Sequence, residues 1–104
     1  ESLSTVKKLE MCREAAALIQ RNEEKKLLLG VLGTVPSVEA LSMAMTYMAD
    51  PLVRNEACFS VVAICEKIVL QNPDAAAEAI GKVLKATNNR NVTRRAKQVL
   101  NKAK

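Results

Sequence analysis

Apolar residues recur along the chain in steps of three and four almost throughout, and the alternation of a half-buried strand never persists, so the pattern predicts helices. Val6, Leu9, Cys12, Ala16 and Ile19 mark one face of a first helix that starts after Ser4. Asn22, followed by Glu23 and Glu24, reads as the next start, because an asparagine oxygen accepts an orphan amide and two acids face the positive end of the helix dipole. The second helix is built on Leu28, Leu32 and Val35. It contains Gly30 and Gly33, each costing about 1 kcal/mol against alanine in a helix interior, which predicts that another helix approaches closely there.

Pro36-Ser37 punctuates next, with Ser37 as the expected cap of a third helix whose face is Leu41, Ala44, Met45 and Met48. Asp50-Pro51 then supplies a capping carboxylate and a proline at the first helical position, where the missing N–H does no harm. Val53, Ala57, Val61, Ile64 and Ile68 carry the fourth helix to about Gln71. Asn72-Pro73-Asp74 repeats the start chemistry and opens a fifth helix with Ala76, Ile80, Val83 and Leu84 inward. Thr87 to Asn91 breaks it, and Val92, Ala96, Val99 and Leu100 carry a sixth.

Linkers of a few residues favour antiparallel neighbours, so the expected packing is three helical hairpins in a row. The register supports a repeat: Val53, Ala57 and Val61 align with Val92, Ala96 and Leu100 at an offset of 39, and Asp50 and Asn89 fall in step with them. The first hairpin matches less well, Leu28 and Leu32 aligning with Ala57 and Val61 at an offset of 29, with Arg21 in the place of Asp50. A unit of this size cannot bury its apolar face alone and stacks on its neighbours as a solenoid.

The segment Asp50-Pro51-Leu52-Val53-Arg54-Asn55-Glu56-Ala57 resembles the turn and second-helix opening of a HEAT repeat, an armadillo-type fold, in its bacterial HEAT-like form. The resemblance implies that Asp50 ends the inter-helix turn, that Val53 and Ala57 point into the core, and that Arg54 extends a polar ladder between successive repeats. The third hairpin departs from the pattern, with Asn89 for the aspartate and Thr93 where Arg54 stands, although Arg94 and Arg95 follow; the first carries Lys25 in the arginine position and no valine. The implied architecture is an all-α, right-handed α-α superhelix of three antiparallel hairpins, with residues 1–104 as one HEAT-like domain. Proteins of this family serve mostly as scaffolds that present a concave helical surface to another protein, and few are enzymes. The opening on Glu1 rather than Met marks the chain as an expected segment of a longer polypeptide, and short modules of this kind resemble parts of large exported bacterial proteins.

Composition narrows the chemistry. The 104 residues include no His, no Trp, one Tyr and one Phe, which removes imidazole bases and ligands and leaves too few aromatics for base-stacking platforms. Cys12, Cys58 and Cys65 form no CxxC pair and are expected to pack as small apolar side chains. The acidic pairs Glu10/Glu14 and Glu23/Glu24 have no apolar enclosure in the pattern and read as solvated surface. No glycine-rich phosphate loop, leader peptide or apolar run long enough to span a membrane is present. These readings predict no enzymatic activity, no cofactor and no metal.

The remaining candidates are surfaces. The formal charge is +5, and the eight basic residues from Lys82 onward have no acidic residue among them. Arg94, Arg95 and Lys97, with Arg90 before them, could grip phosphates, so sequence-independent nucleic-acid binding is the alternative function. The leading candidate is a protein partner, or another domain of the same polypeptide, contacted by the solvent side of the second helix of each hairpin. Its residues are Lys25 and Lys26, then Arg54, Phe59 and Lys67, then Arg94 and Arg95. Phe59 lies off the apolar stripe of its helix, either as an exposed anchor or packed on a neighbouring helix.

Overall fold

The computed structural model describes residues 4–19 and 21–103. Among these are six α-helices and no strand: α1 (Thr5–Leu18), α2 (Asn22–Leu32), α3 (Val38–Thr46), α4 (Arg54–Ile68), α5 (Pro73–Ala86) and α6 (Arg90–Ala103), with a 3-10 turn at Tyr47–Ala49 closing α3. No described helix is long and apolar enough to cross a membrane.

Local capping explains most of the helix starts. The Ser4 hydroxyl accepts from the amide of Lys7 at 3.2 Å, Ser37 from Glu39 at 3.1 Å, and the Asn89 side chain from Val92 at 3.2 Å. Pro73 occupies the first turn of α5, as its fixed backbone angle favours, whereas Asn72 before it makes no side-chain capping bond. Three starts differ from expectation. Arg21, not Asn22, is the capping position of α2, because the Glu24 carboxylate reaches back to the Arg21 amide at 3.2 Å. Asn89 brings α6 in at Arg90, inside the segment expected to be a break. Asp50-Pro51 does not open α4: Asp50 accepts from the Leu52 amide at 3.0 Å, the chain turns through Val53, and the helix begins at Arg54. Pro51 therefore sits in the turn, outside the helix.

Helix α4 is the central rod, packed against α2, α3, α5 and α6. Helices α1 and α2, α3 and α4, and α5 and α6 pack as consecutive pairs, and α2, α4 and α6 also touch in series. The buried residues form one cluster containing Leu29, Leu32, Val61, Ile64, Ile80 and Val92, in a body of 36 × 30 × 20 Å. Val35 was expected on α2. It lies beyond the helix end yet is fully buried, its amide held by the Leu32 carbonyl at 2.9 Å. All three cysteines are free and buried, and burial pushes the Cys65 thiol up to about 12.

Two expectations fail in the first hairpin. Val6 is 64% exposed, since α1 has α2 as its chief neighbour and a single helix covers only a narrow stripe of another, here Leu9 and Cys12. The close approach read from two glycines is made at Gly33 alone, where an added Cβ would stand 3.4 Å from the Ser60 hydroxyl; at Gly30 it would meet nothing within 4 Å.

Truncating Ile64 to alanine should cost roughly 2–5 kcal/mol of folding stability through the lost contacts and the cavity left behind. The same change at Val6 should stay within about 0.5 kcal/mol. Urea denaturation of the two variants measures the contrast, and equal losses would contradict this packing.

Candidate functional site

Helices α2, α4 and α6 lie side by side, and polar side chains stitch each to the next. Between the first two, the Ser60 hydroxyl donates to the Leu29 carbonyl at 2.6 Å in a buried setting, and Lys25 Nζ donates to Asp50 at 2.9 Å. The Lys25 hydrogen bond, and then that from the Leu52 amide, hold the Asp50 carboxyl below its ordinary range. Lys26 and Glu56 form a looser pair at 3.9 Å across the same seam. Across the second seam Arg95 grips Glu66 with two nitrogens, at 2.6 and 3.0 Å. At the start of α4 the Thr87 hydroxyl donates to Asn55 at 3.4 Å.

On the solvent side of these helices lies an open groove of about 380 Å³. Small residues line it, Gly30 and Gly33 from α2 and Ser60 and Ala63 from α4, and larger side chains border it: Phe59, Lys26 and Arg95. Phe59 is 38% exposed and lines the groove. The arrangement offers an apolar patch with charged groups of both signs around it, since Glu56 and Glu66 accompany the cations. It can hold an apolar side chain and orient a polar backbone beside it; no group of three His, Cys, Asp or Glu residues that could hold a metal ion forms among the described residues.

Of the residues singled out from the sequence, Phe59 and Arg95 line this groove together. Arg54 does not: its Nε donates to the Met48 carbonyl at 2.9 Å, within its own hairpin. The link between α2 and the turn before α4 is made instead by Lys25, which donates to Asp50. Lys67 is exposed in the last turn of α4 and Arg94 is exposed on α6, both outside the groove lining. Arg90, Arg94 and Lys97, spaced four and three apart, share the outward face of α6 as a basic stripe, and Arg95 is turned away from it toward Glu66. Val53 and Ala57 are fully buried, Asp50 and Pro51 form the turn before α4. Sequence reasoning missed Ser60, Glu56 and Glu66. The first is a buried hydroxyl in an apolar run; the acids carry no local sign of partners 29 or 30 residues away.

The chain matches no family model, no curated protein and no solved structure.

The Arg95 hydrogen bonds hold the Glu66 carboxyl below its ordinary value of 4.5. A carboxyl depressed on folding adds stability that is complete above its unfolded pKa and is lost as pH falls through the folded one. The pair is one-third exposed, so Glu66→Gln should cost only about 0.5–1 kcal/mol at neutral pH. The gap between the variant and the unaltered chain should be constant above the ordinary carboxylate value of 4.5 and shrink as pH falls below it toward the lowered one. Urea unfolding across this range tests it; a gap that does not shrink there would remove the ion pair from the account.

Proposed function

We propose that the chain is a HEAT-like, right-handed stack of three helical hairpins serving as a non-enzymatic scaffold, which binds a partner protein in the groove over α2, α4 and α6. The observation that carries the reading is the serial contact of these three helices, cross-linked by polar pairs, with a half-exposed phenylalanine and a small-residue floor on their solvent side. A stack of this kind holds its surface rigid, so little ordering entropy is lost when a partner docks. Phe59 is the expected anchor. An apolar side chain of the partner would lie between its ring and the Gly30–Gly33 edge, with Lys26 and Arg95 engaging polar groups beside it.

Gly30 supplies the test. Because its Cβ space is empty, Gly30→Ala should raise helix stability by up to about 1 kcal/mol and keep the fold. Gly30→Leu should fill the groove. Peptides selected against the chain from a displayed random library should bind at least about tenfold more weakly to Gly30→Leu and to Phe59→Ala, a loss of roughly 1.4 kcal/mol, at unchanged circular dichroism. Selected peptides that bind all three proteins equally would place recognition elsewhere.

A second reading, sequence-independent contact with nucleic-acid phosphates, draws on the basic stripe of Arg90, Arg94 and Lys97 and on the absence of any acid in the first turn of α6. Each phosphate contact should lower the logarithm of duplex affinity by about 0.9 per logarithmic unit of salt. Fluorescence anisotropy with a labelled duplex measures the slope, and no binding at low salt would eliminate this reading.

A further inference from the structure

The solvent strip of α4 continues past the groove. Phe59, Ala63 and Lys67 follow one another at steps of four, so Lys67 stands on the same face one turn beyond the lining residues, with Glu66 beside it. On α6, Lys102 comes two turns after Arg95 and shares its face. Arg95 is neutralised by Glu66, whereas Lys67 and Lys102 are exposed and take part in no ion pair among the described residues. Both contribute to the positive field that, after the Arg95 hydrogen bonds, holds the Glu66 carboxyl down. Three cations therefore gather around one carboxylate, leaving two positive charges unmatched at this end of the strip.

The opposite end is neutral. There Lys26 is matched by Glu56 at 3.9 Å, and Phe59 and Ala63 lie between the two ends. The complementary occupant is apolar in its middle and negative at one end only. Helix geometry sets the spacing it needs: Phe59 and Lys67 are eight residues apart, about 12 Å along α4, which an extended peptide covers in about four residues at roughly 3.3 Å each. A nucleic-acid strand fits less well, because its charge recurs at every nucleotide and would set phosphates against Glu56 and Glu66 as well.

We propose that the groove takes an extended acidic peptide, with an apolar side chain beside Phe59 and, about four residues to one side of it, a carboxylate drawn to Lys67 and Lys102. The proposal rests on the scaffold reading of the same groove and adds the chemical class of its partner.

A peptide array tests it. Each peptide carries a central leucine, and every other position is fixed in turn as Glu, Gln or Lys with the remainder randomised. The unaltered chain should favour Glu over Gln by about threefold at positions about four residues from the leucine, on one side only. The preference should vanish at about 1 M salt, where the screening length falls to about 3 Å. The double variant Lys67→Glu/Lys102→Glu, at two exposed positions, should reverse it in favour of Lys at unchanged circular dichroism, and Arg94→Glu on the outward face of α6 should leave it as it is. Phe59→Ala should weaken all peptides alike. Peptides that need Phe59 but show no positional preference for Glu, or a preference that survives the double variant, would overturn the acidic class and leave the groove reading in place. Binding indifferent to Phe59→Ala, or no binding by any peptide, would overturn both. A labelled oligothymidylate that binds more tightly than any peptide pool, and loses that binding in Phe59→Ala, would assign the groove to nucleic acid and overturn the proposal.

Discussion

Helix α4 is apolar around most of its circumference, and α2, α3, α5 and α6 are arranged to cover it. Ala57, Cys58, Val61, Val62, Ile64, Cys65 and Ile68 are all buried, and no single partner helix can shelter positions that point in so many directions. Four helices do so together. The burial of one isoleucine or valine is worth roughly 1.5–3 kcal/mol, so a rod carrying this many outweighs the modest preferences of its neighbours and dictates where they lie. The close approach of Gly33 to Ser60 follows from the same demand. So does the position of the solvent-side groove, since Phe59 and Ala63 belong to the strip of α4 that its neighbours leave open.

The parts of the fold that depend on chemistry within one turn were legible in the sequence. Ser4, Ser37 and Pro73 begin helices because their effect reaches only three or four residues along the chain. The start of α4 was misread for the opposite reason. Asp50 is engaged by a lysine 25 residues upstream as well as by the Leu52 amide, and a motif that looks like a proline-led helix is used as a turn. Gly30 and Gly33 looked alike in sequence, and only the crossing of α2 over α4 separates a tight contact from an open floor. In the candidate site, Phe59 stood out because it breaks the apolar period, and Arg95 because of its basic surroundings. Arg54 and Arg95 are equally plausible contacts on paper; the nearest acceptor, a carbonyl of its own hairpin for one and Glu66 for the other, decides their fates.

Charge along the chain is a poor guide to charge in space. Half of the basic residues fall after Gly81, yet Arg95 is neutralised by α4 and leaves the outward stripe to its neighbours. The two ends of the helix series consequently differ in kind, one strongly basic and the other apolar, with Leu18 and Leu27 exposed. Contacts at one end will weaken with added salt, and contacts at the other will not.

The three sulfur atoms carry a further consequence. Each thiol is enclosed, and Cys65 is so short of water that its reactive anion is vanishingly rare at neutral pH. Covalent exchange with glutathione or an oxidant needs that anion at the surface. The thiols of the folded chain should therefore react only slowly with glutathione or an added oxidant, and far faster once the chain unfolds.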